Sequence, residues 1–373
     1  MHVCIRCDAS QQIGSGHVMR CLALAESMRV IGAEVEFSCR QHAGNLIGYI
    51  RSRDFIVHEL FGSFGNKFDC VKAPNLRHEY AEWLGVSQLE DANETIFALQ
   101  GRRPQWLIVD HYGLDRTWEG ALRPHVENIM AIDDLADRGH DCELILDQNF
   151  FIDGETRYDH LVSPSCIKLL GPSYALLRRE FSEARKILAP KSQNVQRVLV
   201  FFGGVDQDNV TGSALEALSA SEFYQLKVDV VLGEGNPHKA LIEKQVLARA
   251  HTTLHVQINN IAELMAGCDL SLGAGGSTTW ERLCLGLRSL VVTVAENQIH
   301  FIKDLSQAGF LTLLGSSKNV SVMDIRKALS RALKEQHQMY NQAQKGMILV
   351  LGHGAEIVAN RLAGSKPKLS HRL

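Results

Sequence analysis

The 373-residue chain holds no apolar run approaching the roughly 18 uninterrupted residues of a membrane span, so no membrane partner is expected. It has neither a basic tract nor a long acidic one, and its formal net charge is −3. Neutralising nucleic-acid phosphates needs clustered Lys and Arg, so nucleic acid is not expected as the main partner, though a local phosphate site stays open. No basic stretch or long apolar core opens the chain: MHVCIRCDAS reads as a short strand, not as a secretory leader. A disulfide framework is also missing. The nine cysteines are odd in number and scattered through apolar segments such as those around Cys21 and Cys284. That is the usage of reduced, buried thiols in a cytoplasmic protein. Cys4 and Cys7 form a C-x-x-C, but it lies inside the first strand and no second pair follows at zinc spacing, so no metal site is assigned. Low-complexity tracts and short repeats are lacking too.

What is present is an ordinary globular composition, 45% hydrophobic and 22% charged, at a length that suits two domains of moderate size. Short apolar runs at 2–8, 34–39, 55–60, 106–110, 128–133 and 143–147 alternate with helical patterns, which predicts a parallel sheet covered on both faces. The first helical pattern starts near Gly16, carries Val18, Cys21, Leu22, Ala25 and Met28 on one face, and stops at Gly32. A second series of strand-like runs follows at 197–204, 226–233, 252–256, 268–276 and 288–294. The polar segment 187–196 is the linker candidate. The expected fold class is α/β, with two Rossmann-like doubly wound domains facing a cleft: 1–190, then 195–345, then a C-terminal helix and polar tail over 346–373. A single helical pattern is read over 345–364, and the tail 366–373 is expected to be mobile. Such sheets bind ligands at the carboxyl ends of their strands, so the cleft is the place to look.

Several sets of strand-end residues could carry chemistry. After the first strand, Asp8 leads through ASQQIGSG to His17 in the first turn of a helix. Gly14 and Gly16 let a backbone approach a ligand closely, and a helix start favours an anion while disfavouring a protonated imidazole. The loop is neither a Walker A nor a G-x-G-x-x-G. Two readings stand, a catalytic base at His17 or a capping turn with an exposed histidine. Asp110-His111-Tyr112 closes another strand, as functional residues or as a turn completed by Gly113. Asp133-Asp134 reads as turn and cap, and Asp147 with Asn149 is equally ambiguous. In the second half, Gly203-Gly204 follows a strand, and Asp206 to Asn209 can cap the next helix. Gly273, Gly275, Gly276, Ser277 and Thr278 follow another strand and make a diphosphate cradle. Glu281 either grips a ribose diol or closes a capping box with Thr278, and cannot do both. Glu296, Asn297 and Gln298 lie just past a further strand, where polar groups suit sugar hydroxyls or an acetamido group.

R-x-D-A-S-x-x-I-G-S-G-H-x-x-R-C (6–21), I-V-D-H-Y-G (108–113), I-D-D-L-A-D-R (132–138), L-L-G-P-S-Y-A-L-L-R-x-E-F (169–181), F-G-G-x-D (202–206), G-A-G-G-S-T-T-W-E (273–281), E-N-Q (296–298) and G-H-G-A-E-x-V-A-N-R-L (352–362) occur in this order. On these motifs the chain resembles the UDP-2,4-diacetamido-2,4,6-trideoxy-β-L-altropyranose hydrolases of pseudaminic acid biosynthesis, relatives of the two-domain (GT-B) glycosyltransferases. The resemblance implies metal-independent, inverting hydrolysis of the bond between the anomeric carbon and UDP, with no cofactor. His17 is then the base. Gly14, Gly16, Asp8, Tyr112 and Asn297 bind the substrate, and Gly203, Gly204, Gly275, Gly276, Ser277, Thr278 and Glu281 belong to the UDP site. The implied partners are a UDP-sugar and water, acting on a cytoplasmic monomer. The G-H-G at 352–354 departs from the family's frequent G-D-G. A glycosyltransferase using a UDP-amino-sugar donor and a non-catalytic nucleotide-sugar-binding module are the alternatives.

Overall fold

The computed structural model describes residues 1–61 and 80–364; the tail 366–373, expected to be mobile, lies outside them. The chain forms two compact units. One comprises Met1–Asn149, Asp153–Arg178 and the C-terminal stretch from His353, and the other Phe150–Ile152 and Arg179–Gly352.

The first unit is built on seven parallel strands: β1 (His2–Cys7), β2 (Glu34–Arg40), β3 (Ile56–Leu60), β4 (Trp106–Asp110), β5 (Asn128–Ile132), β6 (Leu144–Asp147) and β7 (Ile167–Leu170). They are ordered β3-β2-β1-β4-β5-β6-β7. Because successive side chains point to opposite faces, Val3, Ile5 and Cys7 enter one apolar cluster while Cys4 enters another. Both faces are covered, which is why these strands read as apolar runs and not as alternations. The helix Gly16–Val30 buries Val18, Cys21, Leu22, Ala25 and Met28, each at most 3% exposed. Gly32, at φ +83°, ends it and donates its N–H to the Arg29 carbonyl at 3.0 Å. Ala23 and Leu24 are buried as well, because the helix Gly354–Leu362 packs beside it and adds Ala355, Val358 and Ala359 to the same cluster.

The second unit has six parallel strands: β8 (Arg197–Phe201), β9 (Lys227–Leu232), β10 (Thr252–Val256), β11 (Leu270–Ala274), β12 (Arg288–Thr293) and β13 (Thr312–Ser316), ordered β10-β9-β8-β11-β12-β13. The segment expected as a linker belongs to this unit. Lys191 Nζ bonds the Cys268 carbonyl at 2.7 Å and Val195 is buried.

Three elements differ from the sequence reading. β7 and β13 are edge strands that it does not predict. The single helix expected over 345–364 is two, Gln336–Leu349 and Gly354–Leu362. They are broken at Gly352, whose φ of +87° is outside the helical range, and a Cβ there would meet Cys284 Sγ at 2.9 Å. No described helix is long and apolar enough to cross a membrane.

Candidate functional site

Doubly wound sheets bind ligands outside the carboxyl ends of their strands, where the strand order reverses. In the first unit that point lies between β1 and β4, which place Cys7 opposite Asp110. After β1 the chain closes a tight turn. The Ser10 carbonyl accepts from Gly14 N–H at 2.8 Å, and its hydroxyl accepts from Ile13 N–H at 2.9 Å. Gly14 has φ +78°, and among the described residues a Cβ added at Gly14 or Gly16 would meet nothing within 4 Å. The space above this backbone is therefore open.

His17 is the second residue of the helix, and its Nδ1 lies 2.6 Å from Asp110 Oδ1. Arg20, one turn further along the same helix face, grips that carboxylate at both oxygens. Its Nε is 2.7 Å from Oδ2 and its Nη2 is 2.6 Å from Oδ1. Arg20 Nη1 reaches Asp134 Oδ2 at 3.0 Å. Burial alone would raise the Asp110 pKa, but the Arg20 guanidinium and His17 outweigh it and hold the carboxyl well below the usual range. An ionised Asp110 only accepts, so in the neutral imidazole the short contact puts the proton on Nδ1 and leaves Nε2 as the acceptor. Arg20 Nη2 also stands 3.3 Å from Nδ1, a longer contact that does not change this assignment. The Tyr112 ring meets the imidazole edge-on, with centroids 4.6 Å apart at 81°, and its phenol hydrogen-bonds Asp134. The histidine is thus oriented from two sides.

Asp8, expected at the substrate, is turned into the interior at 1% exposure. Its Oδ1 accepts from Arg6 Nη1 and from the Arg40 backbone N–H, each at 2.6 Å. Burial would raise its pKa, but Arg6, His42 and His111 hold it far below the carboxylate range. The acids read as turn and cap residues do more than that. Asp133 Oδ2 accepts from Ala136 N–H at 2.9 Å, as a turn would have it, but Asp133 also pairs with Arg138 at 2.7 Å. Tyr158 Oη is 3.0 Å from Asp133 Oδ2 and 3.2 Å from Asp147 Oδ2. One phenolic proton cannot serve two carboxylates at once, so a proton on Asp147 completes the chain. Burial, and then the charge of Asp134, pushes the Asp147 pKa up to about 8.

In the second unit the order reverses between β8 and β11, so both predicted glycine turns lie at that point. They are not equivalent. After β8, the first N–H groups of the helix Val210–Leu218 are already taken. Asp206 accepts from Val210 at 3.0 Å and Thr211 at 2.8 Å, and the capping Asn209 accepts from Gly212 at 3.2 Å. Gly204 packs against Gly233, whose N–H reaches the Gly204 carbonyl at 3.0 Å. After β11, Ser277 is the N-cap of the helix Thr278–Cys284 and makes no side-chain cap bond. The N–H groups of Ser277 and Thr278 then have no partner within the helix. Glu281 is the fourth helical residue, one position beyond capping-box register, and the Thr278 hydroxyl accepts from Arg282 at 3.2 Å. The capping-box alternative is not formed. Asn297 is half-buried in the turn Glu296–Gln298 that follows β12.

No protein-family model matches the chain. It is 26% identical over 315 residues to the UDP-2,4-diacetamido-2,4,6-trideoxy-β-L-altropyranose hydrolase of Campylobacter jejuni, covering 83% of this chain and 98% of that protein. It is 23% identical over 305 residues to an uncharacterized protein of Methanocaldococcus jannaschii, covering 80% of this chain but only 56% of that protein's length. Among solved structures, MurG of Acinetobacter baumannii superposes with a TM-score of 0.63 at 12% identity, over 97% of this chain and 99% of that one. The fold is that of the two-domain (GT-B) glycosyltransferases.

Arg20, Asp110 and Gln298 are the residues that motif reading undervalued. Arg20 stands three positions after His17, a spacing that places both on one helix face. Gln298 accepts from Val294 N–H at 2.9 Å and leans over the second turn, with its Nε2 3.6 Å from where a Cβ on Gly276 would sit. No pattern in the sequence signals that approach.

Proposed function

We propose that the chain is a UDP-sugar hydrolase that cleaves the anomeric C–O bond of UDP-2,4-diacetamido-2,4,6-trideoxy-β-L-altropyranose with inversion, releasing UDP and the free sugar. The observation that carries this reading is the ionised Asp110 held by Arg20 against His17 Nδ1, because it leaves Nε2 ready to take a proton. Water attacks the anomeric carbon and gives its proton to Nε2. The bond from that carbon to the UDP oxygen breaks, and its electron pair leaves with the diphosphate. Asp110 stabilises the imidazolium so formed, and base assistance of this kind is worth on the order of 10² to 10⁴ in rate. Substitution on the face opposite the leaving group inverts the centre. UDP is a good leaving group, so the reaction asks for no strong general acid.

The diphosphate is assigned to the turn Gly275–Thr278, where the Gly275 N–H bonds the Val292 carbonyl at 3.2 Å but those of Ser277 and Thr278 have no partner within the helix, and not to Gly203-Gly204, where Asp206 occupies the helix start. Glu281 is assigned to the ribose and Asn297 to the sugar. Similarity to the Campylobacter hydrolase over nearly that protein's whole length supports the substrate class. A free diacetamido sugar suits a following nonulosonate synthase in the cytoplasm and hence surface or flagellin glycosylation.

The test is hydrolysis of the UDP-sugar in ¹⁸O water, followed by mass spectrometry and proton NMR. Label in the sugar, with inverted anomeric configuration, is expected. Label in UDP would refute attack at carbon. A donor left intact in the absence of any acceptor would favour a transferase. His17→Asn is expected to abolish turnover while UDP still binds, and equal turnover by the variant would remove His17 from the chemistry.

A further inference from the structure

Arg282 is fully buried, at 0% exposure, and among the described residues no carboxylate lies within ion-pair distance of it. Its hydrogen bonds all go to the second glycine turn and the helix that follows. Nη2 donates to the Ala274 carbonyl at 2.7 Å and to Thr279 Oγ1 at 3.1 Å, and Nη1 donates to Thr278 Oγ1 at 3.2 Å. Nε has no partner. The guanidinium reaches this place because residue 273 is glycine: a Cβ there would lie 2.4 Å from Nη1 and 2.9 Å from the Phe201 carbonyl at the end of β8. Arg282 therefore sits directly behind the switch point of the second sheet.

A buried charge without a counter-charge is costly and is retained where something offsets it. Arg6, Arg20, Arg40 and Arg138 each pair with carboxylates. Arg249 has none, but it bonds the Leu218 carbonyl at 3.1 Å and the Phe223 carbonyl at 2.7 Å. Leu218 ends a helix, where the dipole is negative. Arg288 bonds the Ser192 carbonyl and lies 5.8 Å from the Tyr340 ring centroid. Arg282 lies beside the start of a helix, where the dipole has the same sign as its own charge. Burial lowers its pKa to about 10, offset only in part by the charge of Glu281, which still leaves it protonated at neutral pH.

We infer that Arg282 is the positioning cation of the nucleotide site. Its charge, held behind Ala274 and Gly275, attracts a nucleoside diphosphate and stabilises the added charge as that group leaves. This rests on the assignment of the diphosphate to the turn Gly275–Thr278. Among the described residues the charge has no ion pair in the free protein, where Glu281 favours it only in part, and a bound dianion would offset it further.

The experiment compares UDP, pyrophosphate and uridine by titration calorimetry on the full chain, with thermal unfolding of the unliganded protein. Arg282→Met is expected to weaken UDP and pyrophosphate on the order of 10- to 100-fold, to leave uridine unchanged, and to unfold at the same temperature as wild type or higher. Arg282→Lys, which keeps the charge, is expected to bind UDP closer to wild type than to R282M. If R282M binds UDP like wild type, if it loses uridine in parallel, or if R282K is as weak as R282M, the inference is overturned. Should R282M fail to fold, Arg282→Gln, which keeps donors for Ala274 and the threonines, carries the same comparison. Wild type that binds no UDP would overturn the nucleotide assignment itself, an outcome distinct from the failure of Arg282 alone.

Discussion

His17 Nδ1 and Asp110 Oδ1, 93 positions apart in the chain, meet at 2.6 Å where the first sheet reverses its strand order. Arg20 binds both oxygens of the same carboxylate, so the aspartate cannot rotate away or take up a proton near neutrality. The pair behaves as one base whose proton-accepting atom is Nε2.

Asp110→Asn should therefore act on chemistry and not on binding. The amide keeps the shape but carries no charge to stabilise an imidazolium, and it releases Arg20 to Asp134 alone. The expected kcat falls on the order of 10²- to 10⁴-fold while UDP affinity changes little, and the unfolding temperature falls because buried Arg20 loses its bidentate carboxylate partner. An unchanged kcat would show that His17 does not rely on Asp110.

Most of the first unit's architecture is legible in the sequence because its central strands are covered on both faces and so consist of continuous apolar residues. β7 fails that test. It lies at the sheet edge with Ile167 and Lys168 exposed, so its four residues show neither an apolar run nor a clean alternation. β13 is also an edge strand, every residue of it only partly buried. At the candidate site, His17 and the glycine turns announce themselves through local spacing. The Asp110 carboxylate, the Asp134 contact and the Arg282 charge depend on which strand ends become neighbours and on what is left unpaired, and neither is a property of a short segment.

The protonated state inferred for Asp147 has a consequence for stability against pH. Its folded pKa is raised to about 8, so its stabilising contribution is complete below the unfolded carboxylate value and is lost as pH rises to about 8. Asp147→Asn mimics the neutral form. Its stability relative to wild type is expected to grow with pH between about 4 and about 8, by up to roughly 1.4 kcal/mol per unit, and then level off. Denaturant unfolding across that range checks it, and a pH-independent difference would mean Asp147 is ionised in the folded protein.

Gly354 opens the helix that returns the chain to the first unit, and a Cβ there would come within 2.3 Å of the Ala175 carbonyl oxygen and 2.5 Å of the Tyr174 carbonyl carbon. Both are backbone atoms, so no side chain can move aside. Gly354→Ala is expected to cost about 1–3 kcal/mol and to lower the unfolding temperature, whereas Gly16→Ala, with open space around it, should not. Equal midpoints for the two variants would contradict the packing described for the Gly354–Leu362 helix.

Gly276 separates a ligand effect from a folding effect. Among the described residues a Cβ there would meet only Gln298 Nε2, at 3.6 Å, an ordinary contact, and the backbone has no left-handed φ. Gly276→Ala should thus fold as well as wild type. The added methyl nevertheless stands over the turn assigned to the diphosphate, where close approach to backbone N–H groups needs a bare Cα. UDP affinity is expected to fall at least about tenfold, equivalent to 1.4 kcal/mol, with uridine affinity kept. Gly203→Ala makes the control at the other turn. Its φ of +95° strains any residue with a side chain, so its loss should appear in thermal stability. If instead Gly203→Ala weakens UDP and Gly276→Ala does not, the diphosphate belongs to the turn after β8 and not to the turn after β11.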